Sequence, residues 1–128
     1  DREDYIKYKK MGRYLGMIFQ LIDACMDFEA TESVAKKPVL SDFENNVVTL
    51  PLIHAFSKNK GLKESAERRE ANRKDIYDAV SITGGISFTR MIAKKYYNKY
   101  IKTLESLDMT DYKRNGLMSV LNKAYRVF

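Results

Sequence analysis

The side chains best suited to chemistry lie within residues 16–27. Gly16, Gln20, Asp23 and Asp27 follow one another at steps of three or four, which places them on one face of a helix. Carboxylates four residues apart repel each other by a few tenths of a kcal/mol when exposed. A divalent cation removes that repulsion, and Mg²⁺ binds one or two protein carboxylates together with waters and substrate phosphates. The row therefore indicates a site that holds a divalent metal against a phosphate, and the alternative is a solvated acidic helix face, which carries the same pair.

Two further polar residues follow this segment closely. Lys37 precedes Pro38, and Asp42 comes four residues later. A lysine near two carboxylates supplies the positive charge that a phosphate bound beside a metal requires. Gly16 adds a weaker indication, because a glycine inside a helix costs roughly 0.5–1 kcal/mol against alanine and usually has a packing or functional reason.

A long first helix must position the row. Apolar residues recur at alternating steps of three and four, which predicts a helix over about residues 4–28 with one buried stripe. The stripe consists of Met11, Leu15, Ile18, Ile22, Cys25 and Met26. The polar row lies on a different face of the same helix, and a loop over residues 30–41 follows it.

Four more helical regions bring the predicted total to about five. The second covers residues 42–58, or begins only near Thr49 because Pro51 fits a first turn. The third covers 62–81 and is open to a split near Asn72. The fourth covers 85–107 after a bend at Gly84 and Gly85, and the fifth covers 112–125. With two prolines and no long alternating runs, the fold class is all-α.

Composition restricts the remaining possibilities. The chain has 128 residues, 45% of them hydrophobic, and a net charge of +6, so it is long enough for one domain with a core. One cysteine excludes an internal disulfide framework. No apolar run is long enough to span a bilayer, no signal peptide is evident at the start, and we expect a cytoplasmic protein. The basic residues are dispersed and match no nucleic-acid motif.

Isolated residues receive structural interpretations. His54 has no nucleophile or ligand partner at useful spacing, so we expect no catalytic role for it. Cys25 lies on the apolar stripe and is expected to be a small buried hydrophobe. Tyr96, Tyr97 and Tyr100 are expected to pack in the fold and not to stack on bases. The Gly84–Gly85 pair lacks the spacing of a phosphate loop.

The motifs together resemble the polyprenyl synthetase family, the trans-isoprenyl diphosphate synthases. The family's Leu-Gly-x-x-Phe-Gln and second aspartate-rich motif correspond to residues 15–20 and 23–27. Its Gly-Lys-Pro, aspartate, Thr-Leu-Pro and Gly-Gly-Ile motifs correspond to residues 36–38, 42, 49–51 and 84–86. Each motif is short, but their order and intervals agree over nearly the whole chain. The resemblance covers only the C-terminal half of a family member.

The resemblance implies an isoprenoid synthase fold that condenses isopentenyl diphosphate with an allylic diphosphate, using Mg²⁺. It implies that Asp23 is the principal metal ligand, that Asp27 supports it, and that Gln20 and Lys37 are catalytic. Phe19, Gln20, Lys37 and Asp42 would contact the substrates. Electrostatic stabilisation of the diphosphate leaving group by metal and lysines is the chemistry of such a site.

Three departures from the family pattern are visible. Ala24 replaces the middle aspartate of the second motif, and Lys36 replaces the glycine before Lys37. Val47 stands where some members carry a second lysine, and its presence favours a medium- or long-chain synthase. The family's first aspartate-rich motif is not found, so we expect residues 1–128 to be the C-terminal part, with the N-terminal half absent.

Three functional hypotheses remain open at this point. The first is part of a polyprenyl diphosphate synthase that is inactive alone, because half of the site is missing. The second is a non-catalytic subunit or degenerate paralogue of a heteromeric synthase, which Ala24 and Lys36 favour. The third, from another class, is a basic helical binding module. Helix faces without their partner half should also drive association into a homo-oligomer.

Overall fold

The computed structural model describes residues 1–33, 49–68, 70 and 72–126, and within these ranges it contains six helices and no strand. The all-α prediction is therefore confirmed. The count exceeds the predicted five because the third region is split before Asn72. The helices are α1 (Arg2–Ser33), α2 (Leu50–Lys58), α3 (Lys60–Glu67), α4 (Arg73–Thr83), α5 (Gly85–Glu105) and α6 (Asp111–Tyr125).

Helix α2 begins where the proline allows it to begin. Thr49 is the extended N-cap residue, and Pro51 lies in the first turn, where its missing N–H removes no hydrogen bond. Of the two predicted starts, the later one near Thr49 is the one observed. Residues 42–48, which the longer alternative would include, lie outside the described ranges.

One residue separates α2 from α3. The backbone N–H of Asn59 donates to the carbonyl oxygen of Ala55 (2.9 Å), and its side-chain oxygen accepts from the backbone N–H of Leu62 (3.1 Å). Asn59 therefore ends one helix and caps the next. The sequence predicts a start at residue 62, which is two residues later than the observed start of α3.

Helix α4 has a signal at each end. The side-chain oxygen of Asn72 accepts from the backbone N–H of Asp75 (2.9 Å), which is the N-cap bond. Gly84 ends the helix in the left-handed region (φ 73°), which glycine adopts without a Cβ penalty. The predicted interhelical bend at Gly84 and Gly85 is confirmed.

Gly85 has a second constraint, imposed by a neighbouring helix. A Cβ atom at this position would lie 2.7 Å from the carbonyl oxygen of Pro51 and 3.3 Å from a methyl group of Val80. Only a residue without a side chain permits α5 to start so close to the backbone of α2.

The buried stripe of α1 is mostly as predicted. Met11, Ile18, Ile22 and Cys25 are each at most 3% exposed. The prediction was wrong at Met26, which is 39% exposed. It also missed Leu21, Ala24 and Phe28, which are buried. Helix α1 extends to Ser33, beyond the predicted end near residue 28.

The chain divides into two compact units. Unit 1 comprises Asp1–Ile22 and Met91–Phe128, and unit 2 comprises Asp23–Arg90. The core of unit 2 joins the end of α1 to α2 and α4, with partly buried residues of α3 and α5 packed against it. Its buried members are Phe28, Leu52, Ala55, Ile76, Ala79 and Val80.

Unit 1 contains the first part of α1, most of α5 and all of α6. The buried Tyr100 hydroxyl of α5 donates to the carbonyl oxygen of Leu117 in α6 (2.8 Å). The Tyr14 ring of α1 lies 6.0 Å from the ring of Tyr96 in α5. A tyrosine of α5 therefore contacts each of the two neighbouring helices. No helix in the described part of the chain has the length and apolar content to cross a bilayer.

Candidate functional site

The predicted polar row is present on α1. Gln20 and Asp23 are exposed, and Asp27 is half-buried, so the helix presents the amide and the first carboxylate to solvent. Gly16 is also exposed, and a Cβ there would meet no other atom within 4 Å. Packing therefore gives no reason for that glycine, and the surface beside the row is open at this position.

Ala24 does not lie in the row. Successive helix residues are about 100° apart, and this rotation takes position 24 to the buried side, where Ala24 is 5% exposed. A carboxylate there would be largely removed from water, which costs free energy unless it is paired. The departure from the family motif thus concerns a buried position, while Asp23 keeps its exposure.

Phe19 and Arg126 form a pair that sequence reasoning missed. Phe19 is 52% exposed, and the guanidinium carbon of Arg126 lies 5.5 Å from its ring centroid, within the range of a cation–π interaction. Arg126 adopts left-handed backbone angles (φ 59°) just after α6. The two residues are far apart in the chain, so no local spacing could have revealed that a cation lies next to the residue preceding Gln20.

Cys25 is a buried thiol. It is 0% exposed, and its Sγ lies 3.8 Å from the carbonyl oxygen of Ile86. Burial raises the pKa of Cys25 to about 11; nearby Arg90 lowers it and Glu29 raises it by smaller amounts. A protonated, buried thiol is neither a nucleophile nor a metal ligand at neutral pH, in agreement with the packing role expected for it.

His54 also has a structural environment. Its ring stacks on Phe88 with centroids 4.4 Å apart, and its Nε2 lies 3.0 Å from the carbonyl oxygen of Thr83. Because a carbonyl oxygen only accepts, the bond requires Nε2 to carry the hydrogen. The histidine thus links α2 to the end of α4, as its lack of catalytic partners in the sequence suggested.

A second feature absent from the sequence interpretation is an ion pair. Arg90 of α5 donates to the Glu29 carboxylate of α1, with both side chains about two-fifths exposed. Surface pairs of this kind contribute little to stability. No spacing in the sequence links the two residues, since they lie on different helices.

The remaining predicted site residues cannot be placed. Lys37 and Asp42 lie outside the described ranges, as do Lys36 and Val47. Their predicted roles therefore stay predictions. Within the described ranges no group of three or more His, Cys, Asp or Glu residues could hold a metal ion. The row offers two carboxylates.

An all-α fold with an acidic row on its first helix is what the resemblance implied, and comparison with known proteins defines the class. A sequence model of the polyprenyl synthetase family matches residues 1–83. The chain belongs to this family. The matched region includes every predicted site residue.

The names of several relatives specify products. The chain is 33% identical over 103 residues to the mitochondrial solanesyl-diphosphate synthase 1 of rice (Oryza sativa subsp. japonica), covering 78% of this chain and 24% of that protein. It is 32% identical over 101 residues to heptaprenyl diphosphate synthase component 2 of Bacillus subtilis, covering 75% of this chain and 29% of that protein. The chain thus spans less than a third of the length of these two relatives.

The fold agrees with solved structures. The heptaprenyl diphosphate synthase of Staphylococcus aureus superimposes with a TM-score of 0.80 at 32% identity, covering 98% of this chain and 41% of that one. A medium/long-chain-length prenyl pyrophosphate synthase of Arabidopsis gives a TM-score of 0.79 at 28% identity, with 98% and 44% coverage. The predicted isoprenoid synthase fold is therefore confirmed.

Proposed function

We propose that this chain is part of a prenyltransferase that condenses isopentenyl diphosphate with an allylic diphosphate and gives a medium- or long-chain polyprenyl diphosphate. The observation that carries the proposal is the exposed Gln20–Asp23 pair on α1, in a chain that belongs to the polyprenyl synthetase family. The products named for the rice and Bacillus relatives support the chain-length class.

The two carboxylates of the polar row supply part of the oxygen ligands that a magnesium ion requires. Asp23 is exposed and Asp27 is half-buried one turn later, and Mg²⁺ takes one or two protein carboxylates with water and phosphate oxygens in the other positions. Asp23 would bind the ion directly, and Asp27 would support it. When bound, Mg²⁺ would offset the charge that develops on the diphosphate leaving group.

The other predicted residues act on the substrate itself. The Gln20 amide can donate to phosphate oxygens, since it is exposed one turn before Asp23. The half-exposed Phe19 ring offers an apolar surface for a hydrocarbon chain. In this proposal Lys37 binds the allylic diphosphate as a point charge, and Asp42 completes the substrate contacts.

We further propose that residues 1–128 supply the C-terminal helical part of such an enzyme, and that catalysis requires an N-terminal half or a partner subunit. The chain spans 41% of the Staphylococcus structure and 24% of the rice protein, which supports this view. A cytoplasmic location stays a prediction from the sequence, and the rice relative is named mitochondrial.

A second candidate is a non-catalytic subunit of a heteromeric synthase. The Bacillus relative is named as component 2 of its enzyme, and Ala24 and Lys36 depart from the family motif. An intact-mass measurement of the protein from its native source, compared with the length of its gene, distinguishes a processed enzyme from a naturally short subunit.

Calorimetric titration with Mg²⁺ and pyrophosphate tests the site. We expect metal-dependent binding, and Asp23→Asn should weaken it by at least about tenfold, since even outer residues of metal sites change affinity by that factor. Asp78→Asn is the matched control, because Asp78 is an exposed aspartate on another helix, outside the row. Binding that does not depend on metal, or equal loss in both variants, would contradict the site and favour the basic binding module.

A separate assay tests the requirement for a second half. The chain is incubated with both diphosphates and Mg²⁺, and the products are extracted and analysed by chromatography. We expect no elongated product from the chain alone. Formation of a polyprenyl diphosphate would refute the claim that the chain needs a partner, whatever the outcome of the titration.

A further inference from the structure

The net positive charge of this protein arises in one of its two units, although basic residues occur in both. Unit 1 contains 13 Lys and Arg against 6 Asp and Glu, a net charge of +7; unit 2 contains 10 against 11, a net charge of −1. The whole excess of +6 therefore arises in unit 1. Such an asymmetry indicates an interaction with an anionic partner and has no role in specifying the fold.

Within unit 1 the charge is concentrated on the surface of α5. Lys94, Lys95, Lys99 and Lys102 are all exposed, and we call these four residues the lysine face. No acidic residue occurs in α5 before Glu105, its last residue. Lys95 and Lys102 are about 10 Å apart along the helix, comparable with the Debye length at 0.1 M salt, so the four charges repel one another.

The neighbouring helix extends the positive surface. Between residues 5 and 22, α1 contains Lys7, Lys9, Lys10 and Arg13 and no acid. The Tyr14–Tyr96 ring contact joins this segment to α5. Lys99 lies 5.4 Å from the Tyr96 ring centroid, and Lys10 lies one turn from Tyr14 in sequence. In the described part of the chain, no carboxylate forms an ion pair with any member of the lysine face.

The chemistry of the lysine face favours a diffuse anionic surface over a base-reading or peptide-reading site. All four residues are lysines, which act as point charges and lack the rigid fork with which arginine reads phosphate or carboxylate. Lys94 lies over the Tyr97 ring, 4.2 Å from its centroid. The adjacent rings are not available for stacking on bases: Tyr96 contacts Tyr14, and Tyr97 contacts Tyr125 at 5.0 Å.

Exposed apolar and aromatic side chains of the same unit are suited to a bilayer interface. Met91, one turn before the lysine face on α5, is 48% exposed. Tyr5 of α1 is 66% exposed and Tyr112 of α6 is 91% exposed. Tyrosine is enriched at membrane–water interfaces, because its ring is apolar and its hydroxyl is polar. The buried stripe of α5 belongs to the core, so contact with lipid would occur through its polar side and without insertion.

We propose that the lysine face binds the surface of an anionic phospholipid bilayer. Basic residues near such a surface each contribute about 1 kcal/mol, or about fivefold in partitioning. The interaction is electrostatic and peripheral, and salt should weaken it because the charges are exposed. The proposal goes beyond the prenyltransferase function and does not depend on it, since no substrate takes part.

Vesicle co-sedimentation tests the proposal. The protein is mixed with phosphatidylcholine vesicles, with or without a quarter of phosphatidylserine, at low and high potassium chloride. We expect binding only to the vesicles that contain phosphatidylserine, and release at high salt. The double variant Lys95→Gln/Lys102→Gln should lower the partition coefficient about twenty-five-fold, from two contributions of fivefold each.

A charge-matched variant controls for net charge. Lys58→Gln/Lys63→Gln removes two exposed lysines from unit 2 and should change partitioning by less than threefold. Equal loss in both variants, or equal binding to both kinds of vesicle, would overturn the proposal. Competition by oligodeoxythymidine would also overturn it, if this probe displaces the protein from vesicles and no longer binds the Lys95→Gln/Lys102→Gln variant. The lysine face would then be a nucleic-acid site.

Discussion

Replacing Gly85 by alanine tests the packing of unit 2. The new Cβ would lie 2.7 Å from the carbonyl oxygen of Pro51, and ordinary van der Waals contact begins at 3.4 Å. The obstacle is backbone in the first turn of α2, and Pro51 is itself buried. No side-chain rotation relieves such a contact, so the start of α5 must move by about 0.7 Å relative to α2, the difference between the two distances.

The expected cost follows from two opposing effects. Overpacking of this kind costs about 1–3 kcal/mol, while Gly→Ala removes chain entropy from the unfolded state and returns about 0.4–1 kcal/mol. The net loss should be about 1–2 kcal/mol. For a chain of this size, that corresponds to a fall in Tm of about 4–8 °C.

Urea unfolding followed by circular dichroism gives the free energy directly. The matched control is Gly116→Ala in α6, where an added Cβ meets nothing within 4 Å and alanine should raise the free energy of unfolding by about 0.5–1 kcal/mol. The two variants should thus shift stability in opposite directions. A Gly85→Ala protein as stable as the parent would refute the close approach of α5 to Pro51.

Three further predictions concern burial. The Cys25 thiol should react slowly with a thiol reagent at pH 9 and fast in urea, and rapid labelling of the folded protein would contradict its burial. Burial raises the pKa of Cys25 from 9.0 to about 11. The contribution of the thiol to stability is therefore complete below pH 9 and is lost as pH rises through 11. Tyr100→Phe removes the hydroxyl that donates to Leu117, so urea unfolding should show a loss of about 1 kcal/mol, and an unchanged midpoint would count against the bond. Ile53 and Ile82 are 51% and 84% exposed, so light scattering should report a mass above 14.9 kDa, whereas a monodisperse monomer would oppose association.

The features that depend on helical period and capping, namely the helices and most of their buried and exposed positions, were predicted correctly from the sequence. The exposure of Gln20 and Asp23 on α1 follows from their spacing alone. The sequence leaves open a split near Asn72, and the structure places the boundary there, because the Asn72 side chain caps α4. Period cannot fix how wide a buried stripe is, which explains the error at Met26.

Contacts between segments that are distant in the chain could not be predicted from the sequence. Nothing local to Gly85 reveals the carbonyl of Pro51, and nothing local to Phe19 reveals Arg126. The burial of Ala24 is of the same kind, since it depends on which neighbours cover that side of α1. For the candidate site, the helical period of the sequence predicted the polar row. The position of Arg126 beside Phe19 is visible only in the structure.

Asn59 is the whole linker between α2 and α3. Its N–H, its carbonyl and its side-chain oxygen all take part in hydrogen bonds, to Ala55, Lys63 and Leu62. Fraying of α3 would break the two bonds that Asn59 accepts, next to the end of α2, which holds Leu52 in the core of unit 2. Although α3 buries no residue fully, only Asn59 separates it from α2, which contributes to the core. An insertion at Asn59 should therefore be tolerated far less well than one in an ordinary surface turn.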